Sequence, residues 1–358
     1  MADFSGYSVN DTALHIAVAN QLIETIIQND LYQDGVGIIQ ITADSFGASA
    51  VRVPKIAKNT GKYRELGGAN NGGFKNTTAV KTYGLTEEII TLKYLYDHME
   101  DVPNVQSILS LQNAATVSRR VIEIGKAITR GRNAGTLAHQ IGAVLNACVT
   151  AASGTGRVFT YNPATTGDGL AQFRKANAAL DNGDTYHDTY PIEGRLAIWR
   201  PNGLMELMDK GDIIVGGSNF AQDMVKSGAV DPTFKDKLPE NATGYRGMVH
   251  GVPCMVATDP IWAEAETWLG LSEDDLKDFQ CVLSSYIATG RGQAFPEQIK
   301  VIDSPDVNGL RIQPLSNYGV KVLFEGGIKL ITNGAVTFTA VSGDFHDALT
   351  IVAPDSQE

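Results

Sequence analysis

Two histidines in this chain are followed directly by a carboxylate: His187 by Asp188 in "YHDTY", and His346 by Asp347 in "DFHD". Such a pair is suited to general acid–base work, because the carboxylate orients the imidazole and favours its charged form. Both pairs sit in turn-rich polar stretches, where a solvated loop is the simpler reading. His15, His98, His139 and His250 are dispersed and lack the paired spacing of a zinc site. "SGTGR" (153–157) has two glycines in phosphate-loop style, but a lone G-x-G is common in turns. The acidic run "SEDDLKD" (272–278) could hold calcium; it reads more simply as a helix start, with Ser272 as cap and acids in the first turn. Trp199, Trp262 and Trp268 are expected to anchor the core rather than form a ligand cage. Full signatures of a phosphate-binding loop, H-E-x-x-H, G-x-S-x-G or an EF-hand do not occur. The expectation is a chain with no catalytic residues, no cofactor and no metal.

The remaining chemistry is charge. Residues Val51–Lys81, "VRVPKIAKNTGKYRELGGANNGGFKNTTAVK", carry Arg52, Lys55, Lys58, Lys62, Arg64, Lys75 and Lys81 against the single acid Glu65. That is +6 within a chain of net charge −11, which leaves −17 for the remainder. Val51 and Val53 alternate on the way out, Val80 and Thr82 on the way back. Between them "GGANNGG", with Gly67, Gly68, Gly72 and Gly73, suits the turn of a long hairpin because glycine and asparagine tolerate positive φ. An arm of about 15 residues at ~3.3 Å each reaches roughly 50 Å. A compact chain of this length has a radius of gyration near ~21 Å. The arm therefore overhangs its own body, and with almost nothing to bury after Ile56 it needs support from a neighbouring subunit. A basic arm on an acidic body is complementary between copies, each exposed pair contributing on the order of 0–1 kcal/mol. The bland alternative is a mobile basic loop that binds nucleic acid, or nothing.

Around this arm the pattern is mixed. Residues 10–30 read as an amphipathic helix, with Leu14, Val18, Leu22 and Ile26 at intervals of four. "IITLKYLY" alternates as one returning strand. A helical region runs from about Ser107 to Val149 and is expected to bend or divide at "GRNAG". "LAQFRKANAALDN" is a further helix, "GRLAIWRP" a buried strand, "NGLMELMDK" a short helix and "GVPCMVATDPIW" a strand. The C-terminal third reads as antiparallel strands, and the whole as α+β. With 43% apolar and 19% charged residues the 358-residue chain is long enough for a sizeable core. Cys148, Cys254 and Cys281 are odd in number and lack C-x-x-C spacing, which fits a reducing compartment. No signal peptide and no membrane span is expected.

This order of elements resembles the major capsid protein of tailed bacteriophages, the Hong Kong 97-type fold. The hairpin 51–84 is similar to that family's extended loop, and 107–149 to its spine helix. "LAQFRKANAALDN" followed by "GRLAIWRPNGLMELMDKGDIIV" resembles its passage into the axial domain. "YRGMVHGVPCMVATDPIW" and "YGVKVLFEGGIKLITNGAVTF" resemble its later strand segments. The resemblance implies an N-terminal arm and helix (1–50), the hairpin (51–84), a peripheral domain (85–195), an axial domain (196–315) and closing peripheral strands (316–358). It implies an icosahedral shell of pentamers and hexamers around double-stranded DNA, located in the virion and assembled in the host cytoplasm. Arg52, Lys55, Lys58, Lys62, Arg64 and Lys75, with Gly67, Gly68, Gly72 and Gly73 at the tip, would make intersubunit contact. The chain lacks the long coiled-coil N-terminal segment of some relatives, which leaves room for separate scaffolding, portal and decoration proteins. Nothing assigns a crosslinking residue. An encapsulin-type compartment shares the fold and is the first alternative. An enzyme with a hairpin lid and a monomeric nucleic-acid-binding module are the others; the lid would need acid–base residues near the tip, where only Glu65 is available.

Overall fold

The computed structural model describes residues 12–43, 48–56, 85–97, 100–102, 111–150, 156–184, 186–204, 244–272, 275–294, 298–304 and 309–334. Among them are helices α1 (Thr12–Asn29), α2 (Leu111–Thr150), α3 (Asp168–Asp181) and α4 (Asp259–Leu269). Strands β1 (Gln33–Asp34), β2 (Gly37–Thr42), β3 (Ala50–Ile56), β4 (Leu85–Thr91), β5 (Tyr94–Asp97) and β6 (Glu100–Val102) precede α2. Then follow β7 (Val158–Tyr161), β8 (Arg195–Trp199), β9 (Tyr245–Val249), β10 (Val252–Val256) and β11 (Phe279–Ser285). The last are β12 (Thr289–Gln293), β13 (Gln298–Ser304), β14 (Gly309–Val322) and β15 (Ile328–Asn333).

Two sheets and a ribbon result. One sheet has the order β1-β2-β12-β14-β13, with β5 and β6 along the other edge of β14. The second has the order β7-β15-β11-β8-β10-β9, and β3 pairs with β4 alone. The late strands pair antiparallel with one another, as expected (β9 with β10, β11 with β15, β12 and β13 with β14). Three of them also pair parallel with earlier strands: β12 with β2, β15 with β7 and β10 with β8. The parallel sense is open to these pairs because long connections, rather than tight hairpins, separate their strands in the sequence.

Helix α1 lies along the first half of α2, with Gln21 Nε2 donating to Ser118 Oγ at 2.6 Å and Asn133 Nδ2 to the Asn29 carbonyl at 3.2 Å. Val18, Leu22 and Ile26 are buried, as their spacing requires. Each such side chain contributes about 1.5–3 kcal/mol. Helix α2 corrects the expected break at "GRNAG": it runs unbroken through Gly131 and Gly135. Its glycines admit neighbours instead of ending the helix. A Cβ at Gly125 would lie 2.9 Å from Thr25 Cγ2, and one at Gly135 would lie 2.7 Å from the Trp268 ring. Gly131 is different, since its Cβ would meet only the flexible end of Glu264 at 3.4 Å. Gly131→Ala is therefore expected to stabilise the chain by up to about 1 kcal/mol through helix propensity. Gly135→Ala should destabilise by about 1–3 kcal/mol through overpacking. Urea midpoints of the two variants, moving in opposite directions, check this.

Two further expectations are corrected. "SEDDLKD" does not start a helix: the described residues 275–278 form a turn, with the Ser272 amide bonded to Asp275 Oδ2 at 2.8 Å. The helix precedes it, as α4, with Thr258 at its N-cap position, Pro260 in its first turn and Gly270 left-handed at φ 66°. Glu266 Oε1 then accepts the Leu276 amide at 2.9 Å and holds the turn against α4. "IITLKYLY" is two strands: β4 ends at Thr91 and pairs with β3, while β5 begins at Tyr94 and pairs with β14. The chain is handed from one partner to the other at Leu92 and Lys93. Trp199, Trp262 and Trp268 are buried as core anchors, and Cys148, Cys254 and Cys281 are buried and free. The boundary drawn at 195/196 falls inside β8, and that at 315/316 inside β14.

Candidate assembly interface

The ribbon sits on the face of the first sheet opposite α2. Alternate residues of β14 go to opposite layers. Tyr318 and Val320 join the core containing Ala134, Leu137 and Ile141 of α2, and the Tyr318 hydroxyl donates to the Gly131 carbonyl at 3.1 Å. Gly319 and Lys321 turn the other way, towards β4. Strand β12 divides likewise. Arg291 points into the helix layer, where it meets Asp30 and Thr136, and Gly290 and Gly292 face the ribbon.

Those glycines are the seat. A Cβ on Gly290 would lie 2.7 Å from Ile90 Cδ1, and one on Gly292 would lie 2.8 Å from Leu92 Cδ2. On Gly319, which pairs with Gly292 across β12 and β14, a Cβ would lie 2.1 Å from the Thr91 carbonyl oxygen. Gly290, Gly292 and Gly319 leave the sheet bare of side chains where the ribbon crosses it, so Ile90 reaches complete burial, and Val51 and Leu92 pack against Ala294. Sequence reading missed this surface because glycine carries no apolar signal; the only trace is the alternation in "TGRG".

The ribbon is antiparallel as expected, with Val51 opposite Ile90, Val53 opposite Glu88 and Lys55 opposite Thr86. Its outer face shows Arg52, whose side chain is 75% exposed and pairs with Glu87 at 3.3 Å. Lys55 takes the inner face, with a side chain only 14% exposed. Its Nζ lies 4.3 Å from the centroid of the Tyr186 ring, 4.9 Å from that of Phe324 and 3.6 Å from Glu88 Oε1. Glu88 also accepts from Lys321 at 2.7 Å. That hydrogen bond holds the Glu88 carboxyl below its usual range, so the contact persists through mild acid and is lost only as pH falls through the lowered value. Lys58, Lys62, Arg64, Gly67, Gly68, Gly72, Gly73 and Lys75, and the strand-like residues Val80 and Thr82, lie outside the described residues.

The histidine pairing read from the sequence is replaced by another. His187 faces Asp184, with Nδ1 4.0 Å from Oδ1, and its ring packs edge-on against Phe324 at 4.4 Å. Burial holds the imidazole below its ordinary value against the pull of Asp184, and the Lys55 ammonium adds to the effect. Asp184 organises the loop: it accepts the Tyr186 and His187 amides at 2.7 and 2.9 Å and the Tyr190 hydroxyl at 2.5 Å. Burial alone would raise its carboxyl, but these donors outweigh it and the net shift is downward. The chemistry is structural, with the carboxylate serving as a turn. Arg157, of the glycine pair in "SGTGR", is committed to Glu325 at 2.8 Å. His346 and Asp347 lie outside the described residues. Among the described residues no three His, Cys, Asp or Glu side chains cluster to hold a metal. No described helix is long and apolar enough to cross a membrane.

No protein-family model and no curated protein sequence matches the chain. Solved structures do. The capsid of Ralstonia phage GP4 superposes with a TM-score of 0.56 at 11% identity, over 87% of this chain and 91% of that one. The capsid of cyanophage P-SCSP1u gives 0.50 at 10% identity, over 86% and 90%. The mature capsid of bacteriophage PhiM1 gives 0.50 at 13% identity, over 86% and 88%. These superpositions, over most of both chains, show that this chain has the α+β fold of bacteriophage capsid proteins, the Hong Kong 97-type architecture that its sequence resembles.

Proposed function

We propose that this chain is a major capsid protein, which assembles with its own copies into an icosahedral shell around the double-stranded DNA of a tailed phage. The observation that carries the reading is the capsid fold over 87% of the chain, together with a two-stranded ribbon whose root is seated on the first sheet. The hairpin beyond Ile56 is the arm that reaches a neighbouring copy. In this reading Lys58, Lys62, Arg64 and Lys75 make the contacts, Arg52 adds to them from the exposed face, and Gly67, Gly68, Gly72 and Gly73 shape the tip. Lys55 is excepted, because its charge is already spent within its own chain. The subunit divides into an arm, a peripheral domain and an axial domain. Pentamers and hexamers form the shell, with scaffolding, portal and decoration proteins as further partners. No reaction is assigned to the chain, and its place is the virion, reached by assembly in the host cytoplasm.

Negative-stain microscopy of the purified protein tests this. Closed particles, tubes or five- and six-membered rings are expected, and a protein that stays monomeric under all assembly conditions overturns the reading. The contents of particles made in cells separate a virus shell, which encloses genomic DNA, from a compartment that encloses a protein cargo. Deleting residues 58–76 should leave a folded subunit that forms no closed particles. Particles unchanged in yield and salt resistance would remove the hairpin from the account.

A further inference from the structure

The ribbon touches its body at its root and again further out along its length. At the root, Val51, Ile90 and Leu92 lie on or beside the glycine seat. Four residues further out, Lys55 meets Tyr186 and Phe324 of the body and, within the ribbon, Glu88 of β4, which itself pairs with Lys321 of β14. The two points are separated by about 13 Å of strand. Two fixed points define a direction, whereas one defines only a pivot.

The outer point is braced by contacts that do not involve the lysine. Asp184 ties the backbone of residues 184–187 into a turn that includes the return bond from the Asp184 amide to the His187 carbonyl at 2.8 Å. The Tyr186 and Phe324 rings lie 5.5 Å apart at a tilt of 56°, and His187 packs edge-on against Phe324 at 4.4 Å. A cation over two aromatic faces, with a carboxylate at 3.6 Å, is held by ring quadrupoles as well as by the ion pair. Neutral methionine would fill the same space without that attraction, and arginine would retain it.

We propose that Tyr186 and Phe324, with Glu88 of the ribbon itself anchored to Lys321, form a socket for Lys55 that sets the angle at which the hairpin leaves the subunit, and through that angle the geometry of the assembled particle. The proposal rests on the shell reading for its second half only. Lys55 is a positioning residue: it contacts its own chain and acts through the tip. The lever is long. An arm of the reach its sequence implies, roughly 50 Å, would multiply slack at Lys55, about 13 Å of strand from the root, about fourfold at the tip, so ~2 Å of play would become ~8 Å. A displacement of that size is enough to miss a contact patch on a neighbour.

The first test uses the isolated subunit. Spin labels at Asn71→Cys and Glu193→Cys report the distance from hairpin tip to body by pulsed electron resonance. The distribution is expected to broaden at least twofold on Lys55→Met or Tyr186→Leu and to keep its width on Lys55→Arg. Equal widths for the parent and Lys55→Met overturn the socket whether or not shells form. The second test is particle diameter by microscopy. Lys55→Met should give mixed diameters or open sheets from subunits whose melting temperature is unchanged, and Lys55→Arg should restore a single size. A single parental diameter for Lys55→Met, or equal disruption by Lys55→Arg, refutes the link to particle geometry. Absence of particles from the parent protein counts against the shell reading alone and leaves the first test to decide the socket.

Discussion

Gly319→Val should yield a subunit that folds but no longer assembles. The clash is with backbone: a Cβ would stand 2.1 Å from the Thr91 carbonyl oxygen, 2.9 Å from its carbon and 3.1 Å from Leu92 Cα. No rotamer change relieves it, so the chain between β4 and β5 must lift. That link is held by the Leu92 amide, which donates to the Ser49 carbonyl at 2.9 Å, and by Leu92 over Gly292. Lifting it withdraws Ile90 from Gly290 and moves the root of the ribbon. The cost to stability is that of overpacking, about 1–3 kcal/mol, which a chain with a separate second sheet should survive. The effect on assembly is far larger, because the root sets the course of an arm that must meet another molecule. Circular dichroism and a denaturant midpoint establish the fold, and microscopy or light scattering establishes assembly. Normal particles from Gly319→Val would show that the seat does not govern the hairpin.

What could be read from the sequence followed from how much each element announces itself. Helix α1 and strand β8 bury regular apolar patterns, and periodicity finds them. The ribbon was legible from alternation at Val51 and Val53 and from its charge against the body. Glycine was the residue most often misread, because one letter serves opposite ends. In α2, Gly125 and Gly135 let Thr25 and Trp268 approach a continuous helix, although glycine there predicts a break. In β12, Gly290 and Gly292 leave room for Ile90 and Leu92 in a strand with no hydrophobic side chain at all. Helix α4 was missed although Thr258, Pro260 and Gly270 mark both its ends, since the apolar run before it suggested a strand. Lys55 was grouped with its basic neighbours for a partner copy, and the aromatic rings that receive it lie some 130 and 270 residues away in the chain. Nothing local could have announced that contact.

Asp30→Ala should be the most destabilising single change among the described residues, by about 3–5 kcal/mol. Asp30, just past the end of α1, accepts from Arg291 of β12, with Nη1 to Oδ2 at 2.6 Å and Nη2 to Oδ1 at 3.5 Å. Arg291 is 1% exposed and Asp30 8%. The guanidinium also donates to Thr136 of α2 at 3.1 Å and lies 5.6 Å from the centroid of the Tyr32 ring, while Asp30 Oδ1 accepts the Tyr32 amide at 3.1 Å. One ion pair thus joins α1, α2 and the strand whose opposite face seats the ribbon. Removing the carboxylate leaves a permanently charged group buried without its counter-ion, and arginine has no accessible neutral form to retreat to. The double variant Asp30→Ala with Arg291→Met removes the stranded charge as well, and should recover at least half of the loss. Recovery of that kind in a denaturant double-mutant cycle identifies the penalty as an unpaired charge rather than a cavity. Because Arg291 stands between Gly290 and Gly292, Asp30→Ala should also loosen the seat, seen as faster amide exchange at Ile90 and Leu92 than in the Gly135→Ala variant at matched stability. Equal exchange at those amides would separate the buried pair from the hairpin and confine its role to the core.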